Sequence, residues 1–163
     1  MNRARGFSLL EALIALLVIA IGVLGVAGLQ AASVYRTHTG AVNSLAAVEA
    51  QSIAARMIAN PGAFPADGSE SDYNTTDAVA VALPSPSCTA AACTSAEMAQ
   101  YDLHQWGSQL AQDLPQGQGA IACQSTPPQC RVKITWQQKQ MAASAGSSKG
   151  AVKTRSYAIW VRP

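Results

Sequence analysis

Hydrophobic and polar positions split this chain into an uninterrupted apolar stretch followed by a longer part with periodic patterning. Residues 12–29 contain no polar side chain, and no charge occurs from Ala12 to Tyr35. As a helix, residues 12–29 measure roughly 27 Å, close to the ~30 Å hydrocarbon thickness of a bilayer. Residues 31–60 are alanine-rich and free of proline, with Gly40 as their only glycine. There Tyr35, Val42, Leu45 and Ile53 fall within one broad face at helical spacing. Asn60, Pro61 and Gly62 form a helix stop. The pattern predicts one helix over residues 7–59, about 80 Å long, against the rival of two helices broken at Gly40.

Residues 61–92 are rich in Pro, Ser, Thr, Asp and Ala with little periodicity. They read as irregular connection with a short strand over residues 78–83. Thr94 and Glu97 form a capping box. Ala99, Leu103, Trp106, Leu110 and Leu114 then make one apolar helix face, ended by Pro115 and Gly117. Trp106 therefore reads as core packing. Residues 131–136 alternate, with Val132, Ile134 and Trp136 on one side. Residues 154–162 alternate with Tyr157, Ile159 and Val161. The Gly/Ser stretch over residues 145–150 reads as their hairpin loop, and residues 121–123 as a shorter third strand. The expected class is α+β: a long N-terminal helix packed on a small antiparallel sheet.

Composition sharpens the division. Of 163 residues, 49% are hydrophobic and 12% charged, half the usual ~25%, which excludes a highly charged disordered chain. The length suits one ordinary domain plus an extension. A cleaved secretory signal has a shorter apolar core and a small-x-small site, and no such site follows promptly here. Arg3 and Arg5 precede the span, so the positive-inside rule places Met1 in the cytoplasm and the rest across the membrane.

Charge is segregated beyond the helix. Residues 57–130 hold seven acids (Asp67, Glu70, Asp72, Asp77, Glu97, Asp102, Asp113) and no Lys or Arg. Residues 131–163 hold seven bases (Arg131, Lys133, Lys139, Lys149, Lys153, Arg155, Arg162) and no acid. The simpler reading is mutual offset within the domain or between subunits. The sharper one is a basic hairpin that binds an anionic surface or DNA. No stacking aromatic is clearly tied to that hairpin in the sequence, so nucleic acid is not an expected partner.

The cysteines are Cys88, Cys93, Cys123 and Cys130. Three connectivities are possible. Local pairing is favoured because each pair sits in a short loop, the second enclosing Pro127 and Pro128. Zinc is the rival, but the gaps do not fit its usual spacing and no histidine accompanies them. No P-loop, GxGxxG, GxSxG or HExxH occurs. His38 and His104 are far apart, and His104, one residue after a core-facing leucine, reads as solvated. The residues nominate no catalytic group, metal or cofactor.

Glu11 is the residue that a plain anchor would not contain. At the head of the apolar run a carboxylate costs a few kcal/mol unless it is paired. Cleavage between Gly6 and Phe7 would create a new ammonium at Phe7, for which Glu11 is the natural counter-charge within its own helix or from a neighbour. The plainer reading leaves Glu11 interfacial and solvated.

The segment Gly6-Phe7-Ser8-Leu9-Leu10-Glu11 with its apolar run resembles the class III signal of type IV pilins and type II secretion pseudopilins. That resemblance implies cleavage by a prepilin peptidase at Gly6–Phe7, N-methylation of Phe7, and Glu11 as the assembly glutamate. Many major pilins carry a proline where this chain has Gly28. Further on, Leu103-His104-Gln105-Trp106, Leu110 and Asp113-Leu114-Pro115-Gln116-Gly117-Gln118-Gly119 resemble the helix and Gly-rich turn of PilV-type minor pilins. The trailing Gly28-Leu29-Gln30 and the strand ending at Trp136 are also similar to that subgroup.

The resemblance implies a pilin-like fold and four regions: a leader (1–6), a transmembrane and assembly helix (7–30), its continuation (31–59), and a periplasmic domain (60–163). It implies a non-enzymatic minor pilin without cofactor or small-molecule substrate. Such a subunit joins other minor pilins in the inner membrane to prime pilus assembly, and sits at the pilus tip to support motility and adhesion. Its partners would be minor and major pilins, prepilin peptidase, the assembly platform and the bilayer. The alternatives are a type II secretion pseudopilin and, further off, a DNA-uptake pilus subunit.

Overall fold

The computed structural model describes residues 8–64, 70–85, 87–140 and 151–162. Its elements are helix α1 (Leu9–Ala59), two 3₁₀ turns (Pro61–Ala63 and Ala78–Ala80), helix α2 (Ser95–Asp113), and strands β1 (Gln118–Ser125), β2 (Pro128–Lys139) and β3 (Val152–Val161). The arrangement is α+β and pilin-like: one long apolar N-terminal helix and a three-stranded antiparallel sheet. The chain divides into two compact units, residues 1–40 and 41–163, and α1 contributes to both. α1 is uninterrupted at Gly22, Gly25, Gly28 and Gly40, so the two-helix rival does not hold. It stops at Ala59, where Pro61 removes a donor and disfavours helix at the residue before it.

Within the 41–163 unit, α1 turns one face to the core through Ala46, Ala50, Ile53 and Met57. α2 adds Ala99, Leu103, Trp106 and Leu110, and the sheet adds Ile121, Val132, Ile134, Trp136 and Val161. Trp106 is fully buried, and its indole N–H donates to the Glu49 carbonyl oxygen at 3.1 Å. Two glycines permit this packing. A Cβ at Gly119 would lie 2.5 Å from the Trp106 ring, so the ring can rest on β1 only where no side chain projects. A Cβ at Gly107 would strike the Ala78 carbonyl, which lies against the backbone of α2.

The capping box forms as expected. Thr94 Oγ1 accepts from the Glu97 N–H at 3.2 Å, and Glu97 Oε2 accepts from the Thr94 N–H at 2.8 Å. These bonds hold the Glu97 carboxyl below its ordinary pKa.

The sheet is a meander in the order β1-β2-β3, with Cys123 opposite Cys130 and Arg131 opposite Trp160. β2 alternates fully: Cys130, Val132, Ile134, Trp136 and Gln138 are buried and the residues between them face outward. The edge of β1 is occupied by the preceding loop. Thr75 and Ile121 exchange backbone hydrogen bonds at 3.0 and 2.8 Å, and Asn74 Oδ1 accepts from the Cys123 N–H at 2.8 Å. The outer edge of β3 has no strand partner among the described residues.

Three expectations need correction. Residues 78–83 are not a strand: the Asp77 carboxylate accepts from the Val79 N–H at 3.0 Å and closes a 3₁₀ turn at Ala78–Ala80. The third strand is longer than residues 121–123 and begins at Gln118, directly after Gln116 turns the chain with a φ of 51°. His104 is not simply solvated, because its Nδ1 lies 2.8 Å from the Val81 carbonyl oxygen. The hairpin loop expected at 145–150 lies outside the described residues.

A polar network crosses this core. Arg56 of α1 pairs with Asp102 of α2 at 3.3 Å, and the Tyr73 hydroxyl donates to the other Asp102 oxygen at 2.7 Å. Asn60 donates to the Ser95 carbonyl at 2.8 Å. Burial is the main cause that pushes the Tyr73 hydroxyl far above its usual pKa. Glu49 differs: it is 8% exposed, and its Oε2 has no hydrogen-bond partner among the described residues. Burial first, then the Asp113 carboxylate, raises its pKa, and Arg56 partly offsets this.

Two expectations follow from the packing. Trp106→Ala leaves a large void and removes the donor to the Glu49 carbonyl of α1, and should lower the unfolding free energy by about 3–5 kcal/mol, read by urea unfolding of the lipid- or detergent-held chain. Because the folded pKa of Glu49 is raised, folding takes up a proton between the unfolded and folded values. Its stabilising contribution is present at low pH and lost as pH rises through that window. Glu49→Gln should therefore raise the unfolding midpoint at neutral pH and leave it unchanged below the ordinary carboxylate range.

Candidate functional site

The described chain opens at Ser8, whose Oγ accepts from the Leu10 N–H at 3.3 Å and whose carbonyl accepts from the Glu11 and Ala12 N–H groups at 3.0 and 3.2 Å. Ser8 thus satisfies donors that the first turn of α1 would otherwise leave free. Glu11 sits in that first turn, exposed, where the partial positive charge of the helix N-terminus favours a carboxylate. Gly6 and Phe7, the expected cleavage and methylation positions, lie outside the described residues, as do Arg3 and Arg5.

After Glu11 the helix is apolar on every side. From Leu13 to Leu29 the large apolar side chains are 54–73% exposed. An apolar surface of that extent in water opposes solubility, and a helix that is hydrophobic all round belongs in lipid or among other such helices. Its backbone groups are paired internally, as a hydrocarbon environment demands. Length and hydropathy make α1 a candidate membrane span. Gly22, Gly25 and Gly28 leave open surface, with nothing within 4 Å of an added Cβ. Such small positions let a second helix approach closely.

Elsewhere the structure pairs the cysteines locally. Cys88 is bonded to Cys93, and Cys123 to Cys130, which closes the end of the β1–β2 hairpin. No group of three His, Cys, Asp or Glu side chains that could hold a metal occurs among the described residues. The segment from Leu114 to Gly119, read in the sequence as a turn into a strand, leads directly from α2 into β1.

Two features escaped the sequence reading. The first is the Arg56–Asp102–Tyr73 network. Its signal was present: Asp102 lies three residues after Ala99 and four before Trp106, on the buried face of α2. The second is Trp160, to which the alternation over residues 154–162 assigns no role. It is 62% exposed beside the basic residues of β2, so the basic hairpin does carry an aromatic.

Residues 1–27 match the family model described as the prokaryotic N-terminal methylation motif. This motif is the prepilin signal of type IV pilins and pseudopilins, and it supports a type IV pilin-type structural subunit that interacts with other pilins and prepilin peptidase. With the apolar helix it suggests a single-pass membrane anchor. No curated protein and no solved structure matches the chain.

Proposed function

We propose that this chain is a minor pilin that joins other minor pilins in the inner membrane and primes type IV pilus assembly at the future tip. The observation that carries the reading is Gly6-Phe7-Ser8-Leu9-Leu10-Glu11 at the head of a helix whose apolar surface is uncovered from Leu13 to Leu29. Residues 1–6 form the leader, 7–30 the membrane and assembly segment, 31–59 its continuation, and 60–163 the exported domain. Arg3 and Arg5 favour a cytoplasmic leader. The PilV-like Leu114-Pro115-Gln116-Gly117-Gln118-Gly119 turn supports the minor-pilin subgroup.

The work is assembly rather than catalysis. Hydrolysis of the Gly6–Phe7 peptide bond frees an ammonium at Phe7, which methylation leaves cationic. In hydrocarbon an unpaired Glu11 carboxylate is costly, and a neighbour's Phe7 ammonium removes that cost. Entry of a subunit into a bundle is thereby favoured in one register, while the glycines of the span allow close approach. The disulfides suit the oxidising side of the membrane.

Mass spectrometry of sheared filaments and of membranes should find a peptide that begins at methylated Phe7 in both fractions. An intact leader in both would sink the pilin reading. Glu11→Ala should leave insertion and cleavage intact and reduce the number of surface pili. Normal piliation in that variant would exclude the pairing role. The prepilin signal also serves pseudopilins; loss of secreted enzymes rather than pili on deletion would favour a type II secretion pseudopilin. Specific DNA retention by the chain would favour a DNA-uptake subunit.

A further inference from the structure

The outer face of the sheet has an unusual composition. Trp160 of β3 is 62% exposed, whereas Trp106 and Trp136 are 0% and 3% exposed. Arg131 of β2 is its direct cross-strand neighbour. Lys133 lies two residues along on the same exposed row, opposite Ala158, and Arg162 follows Trp160 at the same alternation. On the other side of Arg131 and Lys133 stand Ala122 and Ala120 of β1. The alanines are short, so the indole stands above a flat surface rimmed by three cations. No strand contributes an acid to this face. Among the described residues, neither Arg131, Lys133 nor Arg162 has an ion-pair or side-chain hydrogen-bond partner.

An exposed indole beside unpaired cations suits the headgroup layer of a membrane. The amphipathic ring settles at headgroup depth. Each cation near an anionic lipid surface gains about fivefold in affinity. A single-stranded nucleic acid would instead call for several stacking aromatics along a groove, and this face offers one. We propose that the outer face of the sheet docks on an anionic lipid surface, with Trp160 at headgroup depth and Arg131, Lys133 and Arg162 on lipid phosphates. The proposal rests on the membrane-anchored reading of α1.

The test places the full chain, one copy per disc, in lipid nanodiscs of phosphatidylcholine alone or of equal parts phosphatidylcholine and phosphatidylglycerol. Acrylamide, an uncharged quencher, reports Trp160, because the other two tryptophans are buried. In neutral discs Trp160 should be freely quenched. In anionic discs its emission should shift to the blue and its quenching constant fall by at least half, with high salt restoring access. The double variant Arg131→Glu, Lys133→Glu should stay quenchable in anionic discs, and Trp160→Phe should remove the lipid-dependent signal. Equal quenching in both discs overturns docking while leaving the α1 reading intact. Protection in neutral discs that grows with chains per disc, or on addition of oligothymidylate, overturns it in favour of a second copy or a nucleic acid. A chain that enters neither disc sinks both readings.

Discussion

One helix has to satisfy two solvents, and that constraint governs the rest of the chain. Its backbone hydrogen bonds run unbroken from Leu9 to Ala59, while its side-chain pattern changes underneath them. Over 12–29 every face is apolar, which suits lipid or neighbouring helices. Over 41–59 one stripe is buried, made of Ala46, Ala50, Ile53 and Met57 with Glu49 beside them. Ala46 and Ala50 keep the stripe shallow at one end, and Ile53 and Met57 fill the core at the other. The second unit is thus built on a face that the helix provides.

That core is closed by charge as well as by apolar contact. Arg56 is the last base before an acidic stretch, and it meets Asp102 at the buried side of α2, where Tyr73 donates to the same carboxylate. The pair is partly shielded from water, so removal of one partner leaves a charge that solvent cannot fully recover. The network links the end of α1, the 70–75 loop and α2 at one point. It neutralises one acid of the acidic stretch with a base from α1, not with one from residues 131–163.

The long elements were legible because period and punctuation agreed. Pro61 and Gly62 end α1, Thr94 and Glu97 start α2, and the alternation of Val132, Ile134 and Trp136 marks β2. The buried face of α2 was readable from Ala99 to Leu110 for the same reason. The elements that misled are those set by contacts between distant residues. Residues 78–83 have strand-like composition, but the Asp77 side chain and the close approach of Ala78 to Gly107 impose a turn. His104 read as solvated because the Val81 carbonyl that it meets is 23 residues away. The alternation of Tyr157, Ile159 and Val161 already put Trp160 on the opposite row of β3, but the bases that stand beside it follow from the register with β2, which the sequence does not display. For the N-terminal motif, sequence carries nearly all the information, since the signal is a linear pattern and not a constellation assembled by folding.

The sheet also differs between its two margins. The margin of β1 is occupied by Thr75 and Asn74, whereas that of β3 lies open among the described residues, with Lys153 and Arg155 along the strand. A ribbon that can be extended on one side only cannot propagate. A visiting strand could complete this sheet once, or two copies could meet margin to margin about a two-fold axis, and in either case growth would stop. The sheet is therefore built as a terminator, and any unlimited polymer that contains this chain has to be propagated by some other part of it.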